Sequence, residues 1–181
     1  MRFAVFLLVV ALPTAAFAEK PVPRPIDALF GQLRQASTPE DAKPIETQIL
    51  ALFQESGSPS VDLLMTREAA VETAGDKGTA KKLADAVTDI APDFAEGWHR
   101  SALLRSATGD DAGAMVCLQM AVKLNPRQFE AMEQLGEMLE DYGDKAGALK
   151  MYRSAQALDP QLEGLQRHID GLSRAVEGQG I

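Results

Sequence analysis

The chain has 181 residues and a formal charge of −8, from 26 acids against 18 Lys and Arg, with one cysteine and two histidines. That length carries one domain, and the acidity argues against nucleic-acid binding, which needs cations to displace phosphate counterions. A lone cysteine forms no intrachain disulfide and, with two histidines, supplies too few ligands for a structural zinc site, while 46% apolar residues suit a folded chain.

Residues 1–18 read as an export signal. Arg2 gives a positive start, Phe3 to Leu12 an apolar run, Pro13 a break, and Ala16-Phe17-Ala18 the small-x-small pattern of a cleavage site. The run is too short for a lasting membrane anchor, and no cysteine follows the cleavage point to take a lipid. The mature chain is expected to begin at Glu19, to have no stable membrane insertion and to reside in a bacterial periplasm. Residues 19–25, with prolines at 21, 23 and 25, form a stiff spacer.

Residues 26–60 are expected to form a degenerate helical hairpin. Ile26, Leu29, Phe30 and Leu33 keep helical spacing, and Ile45, Ile49, Leu52 and Phe53 form a second stripe. Ser37-Thr38-Pro39-Glu40 separates the two helices, Pro44 is expected to distort the second, and Ser56-Gly57-Ser58-Pro59 closes the unit. Its expected role is to cap the N-terminal end of the repeats that follow.

From there a 34-residue period takes over. Pro92, Pro126 and Pro160 keep that step, as do Gly75, Gly109 and Gly143, each followed by aspartate, and Ala80, Ala114 and Ala148. Several independent columns sharing one period make a true repeat. Gly-Asp suits a tight joint, because glycine adopts the left-handed conformation that closes one helix and aspartate caps the next. Alanine lets paired helices approach closely, and the proline ends each unit. The unit is a pair of antiparallel helices.

These residues resemble the tetratricopeptide repeat. With repeats at 61–94, 95–128 and 129–162, the middle one matches the family pattern with Trp98, Ala102, Ala114, Leu118, Ala121 and Pro126. The third matches with Met132, Leu135, Gly136, Leu139, Ala148, Tyr152, Ala155 and Pro160. The first matches with Leu64, Val71, Ala80, Ala84, Val87 and Pro92, but Arg67 and Glu68 depart from it, as do Ser101 and Arg105 in the second. Glu68 falls where a small side chain belongs, so its replacement by Gly or Ala is expected to raise the melting temperature. The resemblance implies an all-α, right-handed solenoid of antiparallel hairpins. Residues 161–177 would cap it, with Leu162, Leu165, Ile169, Leu172 and Val176 forming one apolar stripe.

Chemistry-bearing patterns are sparse. Glu96 and His99 have Glu-x-x-His spacing, but a di-iron site needs a second copy, and a solvent-facing histidine is expected. Cys117 sits in an apolar stretch with no activating base nearby in sequence, so a small buried hydrophobe is expected. Nucleophile elbows and phosphate loops are absent. The expectation is no enzyme, no metal and no cofactor.

The resemblance implies that the first helix of each hairpin lines a concave groove. Its columns hold Met65, Ala69 and Glu72, then His99, Arg100, Leu103 and Ser106, then Glu133, Glu137 and Glu140. The last three share one helix face and repel one another without cations nearby. They would attract a basic segment, with His99 and Arg100 discriminating against the wrong charge. The lysine- and asparagine-rich clamp by which chaperone-tail-binding members hold a carboxylate is missing. The implied function is a protein- or peptide-binding scaffold for an envelope partner, and the alternative is self-association through the terminal helix or an end repeat.

Overall fold

A computed structural model describes residues 25–178; the expected signal, spacer residues 19–24 and residues 179–181 lie outside them. Among the described residues all regular structure is helical: α1 (Pro25–Leu33), α2 (Pro39–Phe53), α3 (Pro59–Thr73), α4 (Lys77–Ile90), α5 (Ala95–Ser106), α6 (Asp111–Leu124), α7 (Phe129–Asp141), α8 (Lys145–Leu158) and α9 (Leu165–Val176). None of these helices is long and apolar enough to cross a membrane. The chain is the all-α stack of antiparallel hairpins that its period implies, with α3–α4, α5–α6 and α7–α8 as successive units and α9 packed on α8.

The Gly-Asp joints have a common geometry. Gly75, Gly109 and Gly143 take φ of 86°, 81° and 85°. The amide of the following aspartate reaches back to Val71, Arg105 or Leu139 O at 3.2, 2.9 and 2.8 Å, which satisfies a carbonyl at the helix end. The same aspartates then cap the next helix: Asp76, Asp110 and Asp144 accept from the amides of Thr79, Gly113 and Gly147 at 2.9, 3.0 and 2.9 Å.

Close approach follows from the small-residue columns. Ala80, Ala114 and Ala148 are fully buried. A Cβ at Gly136 would stand 2.7 Å from the Tyr152 ring, so α7 crosses α8 at a distance only glycine permits. Between units, a Cβ at Gly97 of α5 would meet Val87 Cγ1 of α4 at 2.7 Å. Cys117 is buried, as a small hydrophobe should be.

Glu68, Ser101 and Arg105, which depart from the pattern in the first two repeats, are each partnered. Glu68 is fully buried and takes a fork from Arg100 of the next unit, Nη2 to Oε1 at 2.8 Å and Nε to Oε2 at 3.1 Å. Arg100 also binds Glu72. Ser101 and Arg105 both donate to Asp85 of α4, at 3.3 and 2.7 Å, and Arg105 also holds Asp110 at 2.7 Å. Polar contacts therefore add to the apolar packing of Ala80 and Ala84 on Leu104 between these units.

The N-terminal hairpin departs from the expected cap. α2 starts at Pro39 with Thr38 accepting from the Asp41 amide at 3.2 Å, and it runs through Pro44 unbroken. Instead of extending the stack beyond α3, α1–α2 joins the apolar cluster of the third unit, where Phe30, Leu33, Ile49 and Phe53 share a core with Phe129, Met132 and Tyr152. Phe30 meets Phe129 edge-on at 6.3 Å between ring centroids. Arg127 lies over the Phe30 ring at 3.8 Å and pairs with Asp27 at 2.6 Å. Gln161 donates to Ala36 O at 3.1 Å.

Two stability outcomes follow from these contacts. Gly136→Ala forces the Tyr152 ring to move and should cost about 1–3 kcal/mol, read as a lower melting temperature with the helical signal intact. Glu68→Ala leaves the Arg100 fork without its buried partner, so the melting temperature should fall, by the equivalent of about 1–3 kcal/mol. This reverses the expectation drawn from the repeat pattern alone, and a rise on thermal melting would restore it.

Candidate functional site

The inner face is built from the first helices of the three units, α3, α5 and α7. Its floor divides along the helices. Near the helix starts, Glu96, His99, Gln128 and Phe129 are buried. α2 lies over this end. Its Glu46 faces Asp159 of the α8–α9 connection, and Gln54, just past its C-terminus, shares a recess with Met65, Glu68, Glu96 and Arg100. Further along the helices a second recess of about 240 Å³ is lined by Leu103, Ser106, Gln134, Glu137 and Met138.

The candidate residues divide accordingly. Met65 is half-buried beside α2, while Leu103 and Glu137 border the second recess. Arg100 and Glu72 are engaged with each other and with Glu68, so neither is free to select a ligand's charge. Burial alone would lower the Arg100 pKa, but hydrogen bonds and charge from Glu68 and Glu72 outweigh it and hold the guanidinium firmly protonated.

His99 is 3% exposed, contrary to the solvent-facing placement expected of it. Its Nδ1 faces Glu96 Oε2 at 3.3 Å and its Nε2 faces Gln134 Oε1 at 3.1 Å, while Gln128 Nε2 donates to the same Glu96 oxygen at 2.6 Å. Burial pushes the imidazole pKa down, yet the Glu96 hydrogen bond and the Glu96 and Glu130 charges win and raise it. His99 thus ties Glu96 of its own helix to Gln134 of α7 within the groove floor.

The acidic face of α7 is also less bare than its spacing suggests. Glu140 accepts from Tyr152 Oη at 3.1 Å and faces His168 Nδ1 at 2.9 Å, with the His168 ring tilted against Tyr152 at 5.0 Å. At Glu133, burial first, then the Glu137 and Glu130 charges, push the pKa up to about 7. Glu130 is raised as well, by burial and by Glu96 and Glu46, against the lowering effect of His99. Among the described residues no group of His, Cys, Asp and Glu is arranged to hold a metal ion.

Several members of this surface escape a reading based on the groove columns. Asp62, Glu96 and Glu130 form an acidic column at the 34-residue step, a signal present in the sequence but masked by more prominent prolines and glycines. Phe30, Arg127, Glu46 and Asp159 meet only because α1–α2 folds back, and nothing local announces that.

No family model matches the chain. It is 27% identical over 154 residues to a TPR repeat-containing protein of Rhizobium etli, covering 84% of this chain and 75% of that protein. Among solved structures it resembles the Sgt2 TPR domain of Aspergillus fumigatus, with a TM-score of 0.58 and 22% identity over 67% of this chain and 82% of that one. It also resembles the type III secretion chaperone SycD of Yersinia enterocolitica, solved in complex with a peptide of the translocator YopD, with a TM-score of 0.57 and 16% identity over 68% of this chain and 97% of that one. In repeat period, hairpin geometry and these likenesses alike, the chain has the all-α tetratricopeptide-repeat fold.

Proposed function

We propose that this chain is a non-catalytic scaffold whose inner face binds a protein or peptide segment, and that the open half of that face selects a basic side chain. The observation that carries the reading is the recess between α5 and α7, where apolar Leu103 and Met138 flank the carboxylate of Glu137. Glu133 stands one turn away on α7, where burial, and then the acids around it, let it hold a proton up to about pH 7. A lysine or arginine entering there would displace that proton and gain two carboxylates beside an apolar shelf for its stem. The Yersinia likeness supports the reading, since that structure holds a peptide.

We also propose that the chain is exported to a bacterial periplasm and serves an envelope partner, on the strength of Arg2, the apolar run from Phe3 to Leu12 and Ala16-Phe17-Ala18. The self-association alternative has less to work with. Leu165, Ile169 and Leu172 of the α9 stripe are buried in the shared core, and Val176 is its exposed member.

Two measurements test these readings. In titrations with a short lysine-containing peptide, affinity should rise as pH is raised through about 7, because Glu133 must lose its proton to pair with the ligand. Glu133→Gln should flatten that dependence, and Glu137→Gln should weaken binding by about 3- to 10-fold, the scale of a partly exposed charge pair. Equal affinity for an acidic peptide of the same length would refute the charge selection. For export, mass measurement of protein recovered from the periplasm of an expressing bacterium should find a chain that begins at Glu19.

A further inference from the structure

The hairpin α1–α2 stands outside the 34-residue period, yet it lies on the face that the other hairpins build. Its attachment has the composition of a contact between separate molecules: an aromatic anchor, Phe30, between the Phe129 ring and the Arg127 guanidinium, with Asp27 completing the fork. Aromatic and arginine anchors of this kind concentrate binding energy at interfaces. The link to α3 is short and non-helical, and Gly57 within it takes φ of 75°, a turn that other residues rarely make.

The same contact carries a built-in penalty. Glu46 of α2 faces Asp159 from the α8–α9 connection and Glu130 from α7, with Lys43 of its own helix the cation beside it at 3.7 Å. Glu130 in turn faces Glu96 and His99 of α5. Asp159 is fully buried and lies within hydrogen-bond reach of Glu46, so the two carboxyl groups share that contact. Burial, and then the opposing carboxylate, raise the pKa of Glu46, and burial raises that of Asp159. An acid whose pKa is higher docked than undocked takes up a proton on docking, so rising pH works against the contact.

We propose that α1–α2 is an exchangeable occupant of the binding face, and that a partner docks there by placing an amphipathic helix, with an aromatic side chain between Arg127 and Phe129 and an acid on Arg127, where Phe30 and Asp27 now sit. The inference rests on the scaffold reading and deepens it. The resident hairpin shows the chemistry the surface accepts, so the competing segment must reproduce it. Partner and hairpin exclude each other, and the open recess at Leu103 stays available in both states.

The test uses the full chain and a fluorescent synthetic peptide of residues 25–55 as probe. Phe30→Ala in the chain loosens the resident hairpin, so the peptide should bind that variant about tenfold or more tightly than the unaltered chain. A peptide carrying the same substitution should not bind. Asp27→Asn gives a milder second variant, expected to shift affinity in the same direction. By hydrogen exchange corrected for intrinsic rates, residues 26–53 should lose protection between about pH 5 and about pH 8, and Glu46→Gln should reduce that loss. The idea is overturned if neither variant binds the peptide better than the unaltered chain. It is also overturned if amides of α5 to α8 lose protection together with the hairpin, which would make α1–α2 an integral part of the core. A dimer that exchanges hairpins between copies would overturn it too, by making a second copy the occupant. Failure of lysine-peptide binding at Glu133 and Glu137 would leave every one of these results unaffected.

Discussion

How near two helices of a hairpin can come is the constraint on which this molecule depends. The Tyr152 ring sits close against α7 because residue 136 has no side chain, and alanines at 80, 114 and 148 do the equivalent work from the second helices. Close contact of this kind makes each unit thin, and stacking thin units leaves the first helices side by side on an inner surface. The Gly-Asp joints hold the units in that arrangement. A left-handed glycine and a capping aspartate fix where one helix stops and the next begins, so that small residues face small residues.

Where the small-residue rule is broken, charge replaces shape. Glu68 occupies the position that Ala102 and Gly136 hold in the other units, and its carboxylate is accommodated because Arg100 reaches across from α5 with a two-pronged donor. Ser101 and Arg105 follow the same logic one turn on, tying α4 to the Asp110 cap through Asp85. The first and second units are therefore joined by a polar lattice beside the small apolar cluster of Ala80, Ala84 and Leu104, whereas Ala102, Leu118, Ala131 and Leu135 join the second and third through apolar contact. This difference uses up the cations that a bare reading of the groove would offer to a ligand.

The fold was legible because it is periodic: each joint is written in a few adjacent residues and written three times, at Gly75, Gly109 and Gly143. The site was legible only in part. Leu103 and Glu137 could be placed on the inner face from their column, since a column fixes direction. Burial was beyond the column's reach: His99 occupies the same column as Met65 and Glu133, yet it is the one sealed beneath its neighbours. His99 is held there by Glu96 and by Gln134 of α7, and the hairpin over this end of the floor is anchored by a contact between residues about a hundred positions apart, Asp27 with Arg127. Helical spacing in residues 26–53 predicts an amphipathic hairpin and carries no information on which apolar surface it will choose.

The choice itself has a physical explanation. A hairpin capping α3 would have to cover a helix whose outer residues include Arg67 and exposed Leu63, with little continuous apolar surface to bury. The third unit offers Phe129, Met132 and the aliphatic edge of α9 in one cluster, so Phe30, Ile49 and Phe53 lose more water-exposed area there. That gain has to outweigh the cost of setting Glu46 against Asp159 and Glu130, carboxyl groups whose pKa values burial raises. Strong apolar attraction opposed by like charge gives a contact whose net strength is smaller than its area suggests, and whose balance moves with proton concentration. The inner face thus carries two sets of acids: Glu133 and Glu137 suit a basic ligand, while Glu130 and Asp159 oppose Glu46 and keep the resident helix from being held there without cost.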